Sequence, residues 1–248
     1  MNVEESDVRL AERLATGAGE ILAALQKNSG LEGQALGKAG DEQANAWLMR
    51  ELTAARPDDA ILSEEETDSA ARLSSNRVWI IDPLDGTREY SEGRDDWAVH
   101  VALAIAGQAI VGAVAVPGLG ATFSSGHAAS LAPANAPPRM VISRSRPAQE
   151  ALDVAKAIGA ELLPMGSAGA KAMAVVRGKA DIYLHTGGQY QWDNCAPVAV
   201  AQAHGLHCSR VDGSPLLYND ADTRLPDLLI CRPEWAARVL ELVQTRGV

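Results

Sequence analysis

The sequence predicts an α+β chain built in two unlike halves, about residues 1–130 and 139–248. Three patterns predict it. Two amphipathic helical stretches come first, a meander of period-two strands follows, and strands then alternate with helices beyond an Ala/Pro-rich connector. With 248 residues, 47% hydrophobic and 22% charged, the chain can bury a core without disulfides or a structural metal.

The first helix, about Glu4 to Gln26, puts Val8, Leu14, Ala15, Ala18, Ile21, Leu22 and Leu25 on one face, and Asn28-Ser29-Gly30 ends it. A second helix is expected from about Asp41 to Ala54, with Asp41 at its start, Trp47, Leu48 and Leu52 inward, and Arg56-Pro57-Asp58-Asp59 as its breaker. Short strands are expected at about Ala60–Leu62 and Val78–Ile81. From Trp97 to Val116 run twenty residues without a charge, long enough to cross a bilayer. However, Val99, Val101, Leu103 and Ile105 alternate at period two, as do Ile110, Gly112, Val114 and Val116, with Ala106-Gly107-Gln108 between them. That pattern is a hairpin rather than a membrane span. A strand near Thr122–Ser124 extends the sheet, and Ala128–Pro138 reads as a connector. Beyond it, strands at about Met140–Ser143, Asp181–Leu184, Leu206–Ser209 and Leu228–Cys231 alternate with helices at about Pro147–Ile158, Ser167–Arg177, Asp193–Ala203 and Pro233–Gln244. The alternation suggests an α/β layer with its strands covered on both sides. No internal repeat is visible.

Lys plus Arg number 22 against 32 Asp plus Glu, a net charge of −10, and no basic run exists to displace counterions from a polyanion. Nucleic-acid polymers and anionic membranes are therefore not expected partners. A small phosphorylated molecule remains possible if a divalent cation offsets the field. The three cysteines, Cys195, Cys208 and Cys231, have no C-x-x-C spacing and read as buried thiols of a reducing compartment. Glu4, Glu5 and Asp7 make the N-terminus acidic, unlike a secretory leader, so a cytoplasmic location is expected.

The chemistry concentrates in Val78-Trp79-Ile80-Ile81-Asp82-Pro83-Leu84-Asp85-Gly86-Thr87. An apolar strand runs into two aspartates separated by a proline that cannot continue a ladder. The turn can bring both carboxylates to one side with the Leu84 carbonyl between them, a donor set suited to a hard cation such as Mg²⁺. Gly86 and Thr87 then offer N–H groups at a helix start, which favours a phosphate. Alone, Asp82 and Asp85 could simply cap a turn. Asp193 could be an ordinary helix cap, and Glu64-Glu65-Glu66 a solvated loop.

Taken in order, Asp41, Glu64-Glu65, Asp82-Pro83-Leu84-Asp85-Gly86-Thr87 and Trp192-Asp193 resemble the inositol monophosphatase superfamily of Mg²⁺-dependent, lithium-sensitive phosphatases. The resemblance covers about Leu10 to Gly205 and rests on four separated blocks. It implies a layered α/β/α/β/α sandwich, usually homodimeric, with the site between the halves and two or three Mg²⁺ ions. By position, Glu64, Asp82 and the Leu84 carbonyl correspond to ligands of a first Mg²⁺. Asp82, Asp85 and Asp193 correspond to those of a second. Two such ions can activate a water and stabilise a leaving oxygen. Thr87, with Asp41 or Glu64, is implied to orient and deprotonate that water. The Gly86 and Thr87 amides are implied to hold the phosphate, and Glu65 to support.

Within that superfamily, Arg88-Glu89-Tyr90 is similar to the Lys-Glu-Phe of the 3′(2′),5′-bisphosphate nucleotidases, the CysQ type, where inositol phosphatases usually read Thr-Asn-Phe. The inositol branch also carries a glutamate shortly before its Trp-Asp, and here His185-Thr186 stand instead. Val141-Ile142-Ser143-Arg144-Ser145-Arg146 resembles the nucleotidases' Ser-Arg-Ser-His segment, with Arg146 in place of histidine. Gly166-Ser167-Ala168-Gly169-Ala170-Lys171 resembles their Gly-Ser-Ser-x-Lys. The resemblance implies release of the 3′-phosphate of 3′-phosphoadenosine 5′-phosphate. Arg144, Arg146 and Lys171 are the candidate cations for its second phosphate, and Asp193 is implied to touch substrate as well as metal. A broader phosphatase for inositol 1-phosphate or fructose 1,6-bisphosphate is the alternative, followed by a non-catalytic metal-binding homologue. Gly118-x-Gly120 lacks a third glycine, and no G-x-S-x-G or H-E-x-x-H is present, which excludes the usual dinucleotide, serine-nucleophile and zinc signatures.

Overall fold

In the computed structural model, which describes residues 5–245, the chain folds into five alternating layers. Helix α1 (Asp7–Asn28) begins after Ser6, whose hydroxyl accepts from Arg9 N. Glu4, the expected helix start, lies outside the described residues. Helix α2 (Gly33–Ala55) starts two turns earlier than expected, so Asp41 sits inside it rather than at its N-terminus. The glycines ahead of Asp41 are packing devices: a side chain at Gly37 would strike Thr87 and Ser91, and one at Gly40 would strike Tyr90 and Leu84.

Strands β1 (Ala60–Ser63), β2 (Arg77–Asp85), β3 (Ala98–Ile105), β4 (Gln108–Val116) and β5 (Ala121–Ser124) form the first sheet in that order. A short helix α3 (Thr87–Ser91) follows β2. Only β1 and β2 are parallel. The uncharged stretch is β3 and β4, and no helix among the described residues is long and apolar enough to cross a membrane.

The second sheet uses β6 (Arg139–Ser143), β7 (Glu161–Met165), β8 (Ile182–His185), β10 (His207–Ser209) and β12 (Leu228–Cys231) in the order β10-β12-β8-β6-β7. Strands β6, β7 and β8 run parallel, whereas β12 is antiparallel to both its neighbours, β8 and β10, so the sheet is mixed. Strand β7 went unread because it is a short edge strand whose Pro164 breaks the pattern, and an edge tolerates proline. Helices α4 (Gln149–Ile158), α5 (Ala168–Val176), α6 (Gln191–Ala203) and α7 (Pro233–Gln244) follow the expected alternation. A two-stranded ribbon pairs β9 (Gln189–Tyr190) with β11 (Arg224–Leu225).

Period-two alternation in the strands decides the layering. Trp79, Ile81, Val99, Val101 and Leu103 face α1 and α2 through Leu14, Leu22, Leu48 and Leu52. The opposite face of that sheet, with Val78, Ile80, Ala102 and Val114, packs on α5 and α6, which also cover Val141, Tyr183 and Ile230 of the second sheet. Met140, Ile142, Leu184 and Leu229 point the other way, onto Val154 of α4 and Val239 of α7. The middle core therefore draws on residues from both sides of the 128–138 segment. That segment is held by Asp181, fully buried, which accepts from the backbone N–H groups of Asn135 and Arg139.

Candidate active site

Strand β1 runs beside β2 with Ser63 opposite Ile81, so the chain leaving β1 places Glu64 next to Asp82, and Glu64 N–H donates to the Ile81 carbonyl. Residues three apart on a regular strand point to opposite faces. Here Asp82 pairs with His100 and Asp85 with Ala98, so one extra residue bulges from β2 around Pro83. The bulge returns both aspartates to one side. Asp193, in the first turn of α6, completes the group: ligand oxygens of Asp82, Asp85 and Asp193 lie within 4.8 Å of one another.

The three carboxylates are held differently. Asp82 is 1% exposed, and its Oδ1 accepts from Leu84 N–H at 3.0 Å. Its Oδ2 is buried without a hydrogen-bond partner. Asp85 accepts from the Ser167 hydroxyl, from Ala168 N–H at 3.1 Å and from Gly169 N–H at 2.7 Å, so the first turn of α5 aims at it. His100 Nε2 stands 3.2 Å from Asp85, and its Nδ1 lies 3.0 Å from the Trp192 carbonyl. Burial alone would raise Asp85, but the His100 charge and these donors outweigh it and hold the carboxyl at about 2. Asp193 uses one oxygen to accept from Tyr190 N–H at 2.6 Å. Burial and then repulsion from Asp85 push it up to about 6.

Burial, then repulsion from Glu64, Asp85 and Asp193, lifts Asp82 well above the usual carboxylate range. Glu64, beside Asp82, is lifted to about 7 by desolvation and then by repulsion from Asp193. A cluster that resists full ionisation while presenting an unpartnered buried oxygen suits an oxygen-seeking divalent cation. The donor set therefore fits the metal expected from the sequence.

Thr87 opens α3 after Gly86, which sits in the left-handed region at φ 89°. Its hydroxyl lies 3.1 Å from the Leu84 carbonyl and 3.4 Å from Asp41 Oδ1. Asp41 is raised to about 7 by burial and by Glu65 nearby. Helix α2 thus delivers Asp41 to Thr87 through the close approach its glycines allow.

Beside the carboxylates opens a cavity of about 300 Å³, lined among others by Asp85, Thr87, Arg88, Arg146, Lys171 and Asp193. A hollow of about 610 Å³ at Arg56, Asp59 and Arg77 lies elsewhere, and its arginines are already paired with Asp7 and Asp59. Arg144 does not line the cavity. It is tied to Glu89 and Glu92, each at 2.8 Å. Lys171 is 6% exposed, with one long bond of 3.5 Å to the Gly166 carbonyl, and burial lowers it from the ordinary lysine value.

Sequence reasoning missed His100. Its signal was available: it is the one ionisable group in the otherwise uncharged Trp97–Val116 stretch, on the face shared with Ala102 and Ala104. The glycine of Ala168-Gly169-Ala170 has its reason here too, because a methyl at Gly169 would run into His100 Nε2.

Residues 4–247 match the model of the inositol monophosphatase family. The 3′-phosphoadenosine 5′-phosphate phosphatase of Mycobacterium bovis is 49% identical over 236 residues, 90% of this chain and 88% of that one. The 3′(2′),5′-bisphosphate nucleotidase CysQ of Escherichia coli is 31% identical over 199 residues, covering 75% of this chain and 81% of that one. Among solved structures, CysQ from Bacteroides thetaiotaomicron superposes with a TM-score of 0.78 at 24% identity, over 91% of this chain and 97% of that one. An inositol monophosphatase from Anabaena gives 0.80 at 19% identity, over 96% and 95%. The match along nearly the whole chain, the shared layered fold and the converging carboxylates agree: this chain belongs to the inositol monophosphatase family.

Proposed function

We propose that this chain is a Mg²⁺-dependent phosphomonoesterase that hydrolyses 3′-phosphoadenosine 5′-phosphate to AMP and phosphate. One observation carries the choice of substrate: the cavity has an acidic end at Asp85 and Asp193 and a cationic wall of Arg88, Arg146 and Lys171. With Mg²⁺ on the acidic end, a bisphosphorylated nucleotide has an anionic group for each. The relatives at 49% and 45% identity bear the matching name, 3′-phosphoadenosine 5′-phosphate phosphatase. The inositol phosphatases resemble the chain only in fold at such low identity, so they carry no argument about substrate.

Glu64, Asp82, Asp85, Asp193 and the Leu84 carbonyl are the residues to hold two or three Mg²⁺ ions. Bound there, the metal supplies an acidified water and charge stabilisation for the departing ester oxygen. In the reaction, a water oxygen bonds to the 3′ phosphorus, the bond from phosphorus to the 3′ oxygen breaks, and that oxygen takes up a proton. Thr87 orients the attacking water, and Asp41 or Glu64 accepts its proton. The amides of Gly86 and Thr87 receive the scissile phosphate. Lys171 and Arg146 answer the second phosphate, with Arg88 beside them. Lithium sensitivity, a homodimer and a cytoplasmic setting belong to the same reading. Phosphate release from the nucleotide in Mg²⁺, abolished by EDTA and restored by excess Mg²⁺, tests it; release that is indifferent to EDTA refutes it.

A further inference from the structure

A buried phenol in the cavity wall carries a proton with no acceptor among the described residues. Tyr183, on β8, is 1% exposed and lines the cavity. Its oxygen accepts from Gln189 Nε2 at 3.0 Å, Gln189 Oε1 accepts from Asn194 Nδ2 at 3.1 Å, and Asn194 Oδ1 accepts from the Tyr218 hydroxyl at 2.9 Å. Both amides are used at both ends, so only two directions are self-consistent. In one, Tyr218 donates and the Tyr183 proton is left over. In the other, Tyr183 donates to Gln189 and the Tyr218 proton is stranded.

The cavity chooses between them. Both phenols are buried in the middle core, but Tyr183 lines the cavity and Tyr218 does not, so an unanswered donor at Tyr218 keeps its full desolvation cost. At Tyr183 the spare proton faces a polar cavity that a ligand or water can fill. Lys171 Nζ lies 5.3 Å from the centre of the Tyr183 ring, with only its long bond to the Gly166 carbonyl. A charged and a neutral donor, both buried and both undersupplied with acceptors, thus meet on one wall. Phosphate oxygens are the chemistry that satisfies both.

We propose that Tyr183 is a specificity-determining residue that donates a hydrogen bond to the non-reacting phosphate of the substrate, its direction set from Tyr218 through Asn194 and Gln189. The assignment rests on the bisphosphorylated-nucleotide reading above. Burial raises the Tyr183 phenol above its ordinary value, so it keeps its proton to donate.

The test compares kcat and KM for 3′-phosphoadenosine 5′-phosphate and for p-nitrophenyl phosphate, both in Mg²⁺, in the unaltered chain, Y183F, Y218F and the double variant. In Y183F the ratio of kcat/KM for the nucleotide to that for p-nitrophenyl phosphate falls roughly tenfold to a hundredfold, mostly through KM. Y218F, remote from the substrate, frees the relay to reverse and lowers the ratio by several-fold. The double variant matches Y183F, because without the phenol the direction no longer matters. An unchanged ratio in Y183F, or a Y218F loss that adds in full to it, overturns the assignment. If Y183F fails to fold, Y218F decides alone, and an unchanged ratio there overturns it. An unaltered chain with no preference for the nucleotide refutes the proposed function itself, and the Tyr183 assignment with it.

Discussion

Replacing Gly169 with alanine puts a methyl against His100 Nε2 and 3.0 Å from the Ala98 methyl. His100 is fully buried between the Trp192 carbonyl at 3.0 Å and Asp85 at 3.2 Å, so it cannot swing aside. The first turn of α5 must shift instead, and with it the 2.7 Å bond from Gly169 N–H to Asp85. A hydrogen bond to a charged group contributes about 1.5–3 kcal/mol, and overpacking a buried site costs about 1–3 kcal/mol. Alanine's better helix propensity offsets about 1 kcal/mol of that. The expected net loss is about 1.5–5 kcal/mol, measured by urea unfolding in EDTA. Pairing G169A with H100A relieves the clash, so the two costs should fall short of additivity by about 1 kcal/mol or more. A G169A chain within about 0.5 kcal/mol of the unaltered one, or strict additivity in the cycle, would refute the packing argument.

Asp82→Asn should abolish most activity without destabilising the metal-free chain, since burial and repulsion from Glu64, Asp85 and Asp193 already disfavour the charged carboxylate there. Differential scanning fluorimetry should also lose the Mg²⁺-dependent rise in Tm, and a retained rise would count against the carboxylate cluster as the metal site. Thr87→Ala should lower kcat roughly 10²–10³-fold with little change in KM, by analogy with other aligned transition-state donors. A loss confined to KM would move the hydroxyl from water positioning to binding. Asp59 is held below the usual carboxylate range by the Arg77 guanidinium, aided by Trp79 Nε1–H at 2.8 Å. Its folded value is lowered, so its contribution is complete above the ordinary aspartate value near about 4 and fades as pH falls through the lowered one. Asp59→Asn should therefore cost about 1–2 kcal/mol at neutral pH, discounted for the half-exposed arginine, and progressively less in acid. A cost independent of pH would contradict the ion-pair explanation.

Much of this was legible because the signals are local. Period-two strands, helical faces and the Asp82–Thr87 run each lie within a few residues, and the layered fold follows from stacking them. The limits of α2 were not legible, because Gly37 and Gly40 are poor helix formers whose place in the helix shows only once α3 is packed against them. The Pro83 bulge shows why two aspartates three apart share a side, a point that depends on β3 register rather than on local sequence. His100 was hidden for a similar reason: its partner Asp85 comes earlier in the chain and Trp192 ninety-two residues later. Arg144 matched a motif, but its partners Glu89 and Glu92 come from the other half, and no local pattern reports that contact.

The most direct measurement of the central claim is kcat/KM for 3′-phosphoadenosine 5′-phosphate against inositol 1-phosphate, on the same preparation in Mg²⁺. On the proposed reading both place a phosphate at the Asp82–Asp85–Asp193 end, but only the nucleotide carries a second phosphate for Lys171 and Arg146. A charge-assisted contact of that kind corresponds to about tenfold or more in specificity, and we expect at least that preference for the nucleotide. Equal values, unchanged on Arg146→Ala, would contradict the nucleotidase reading and leave a phosphatase of broader specificity.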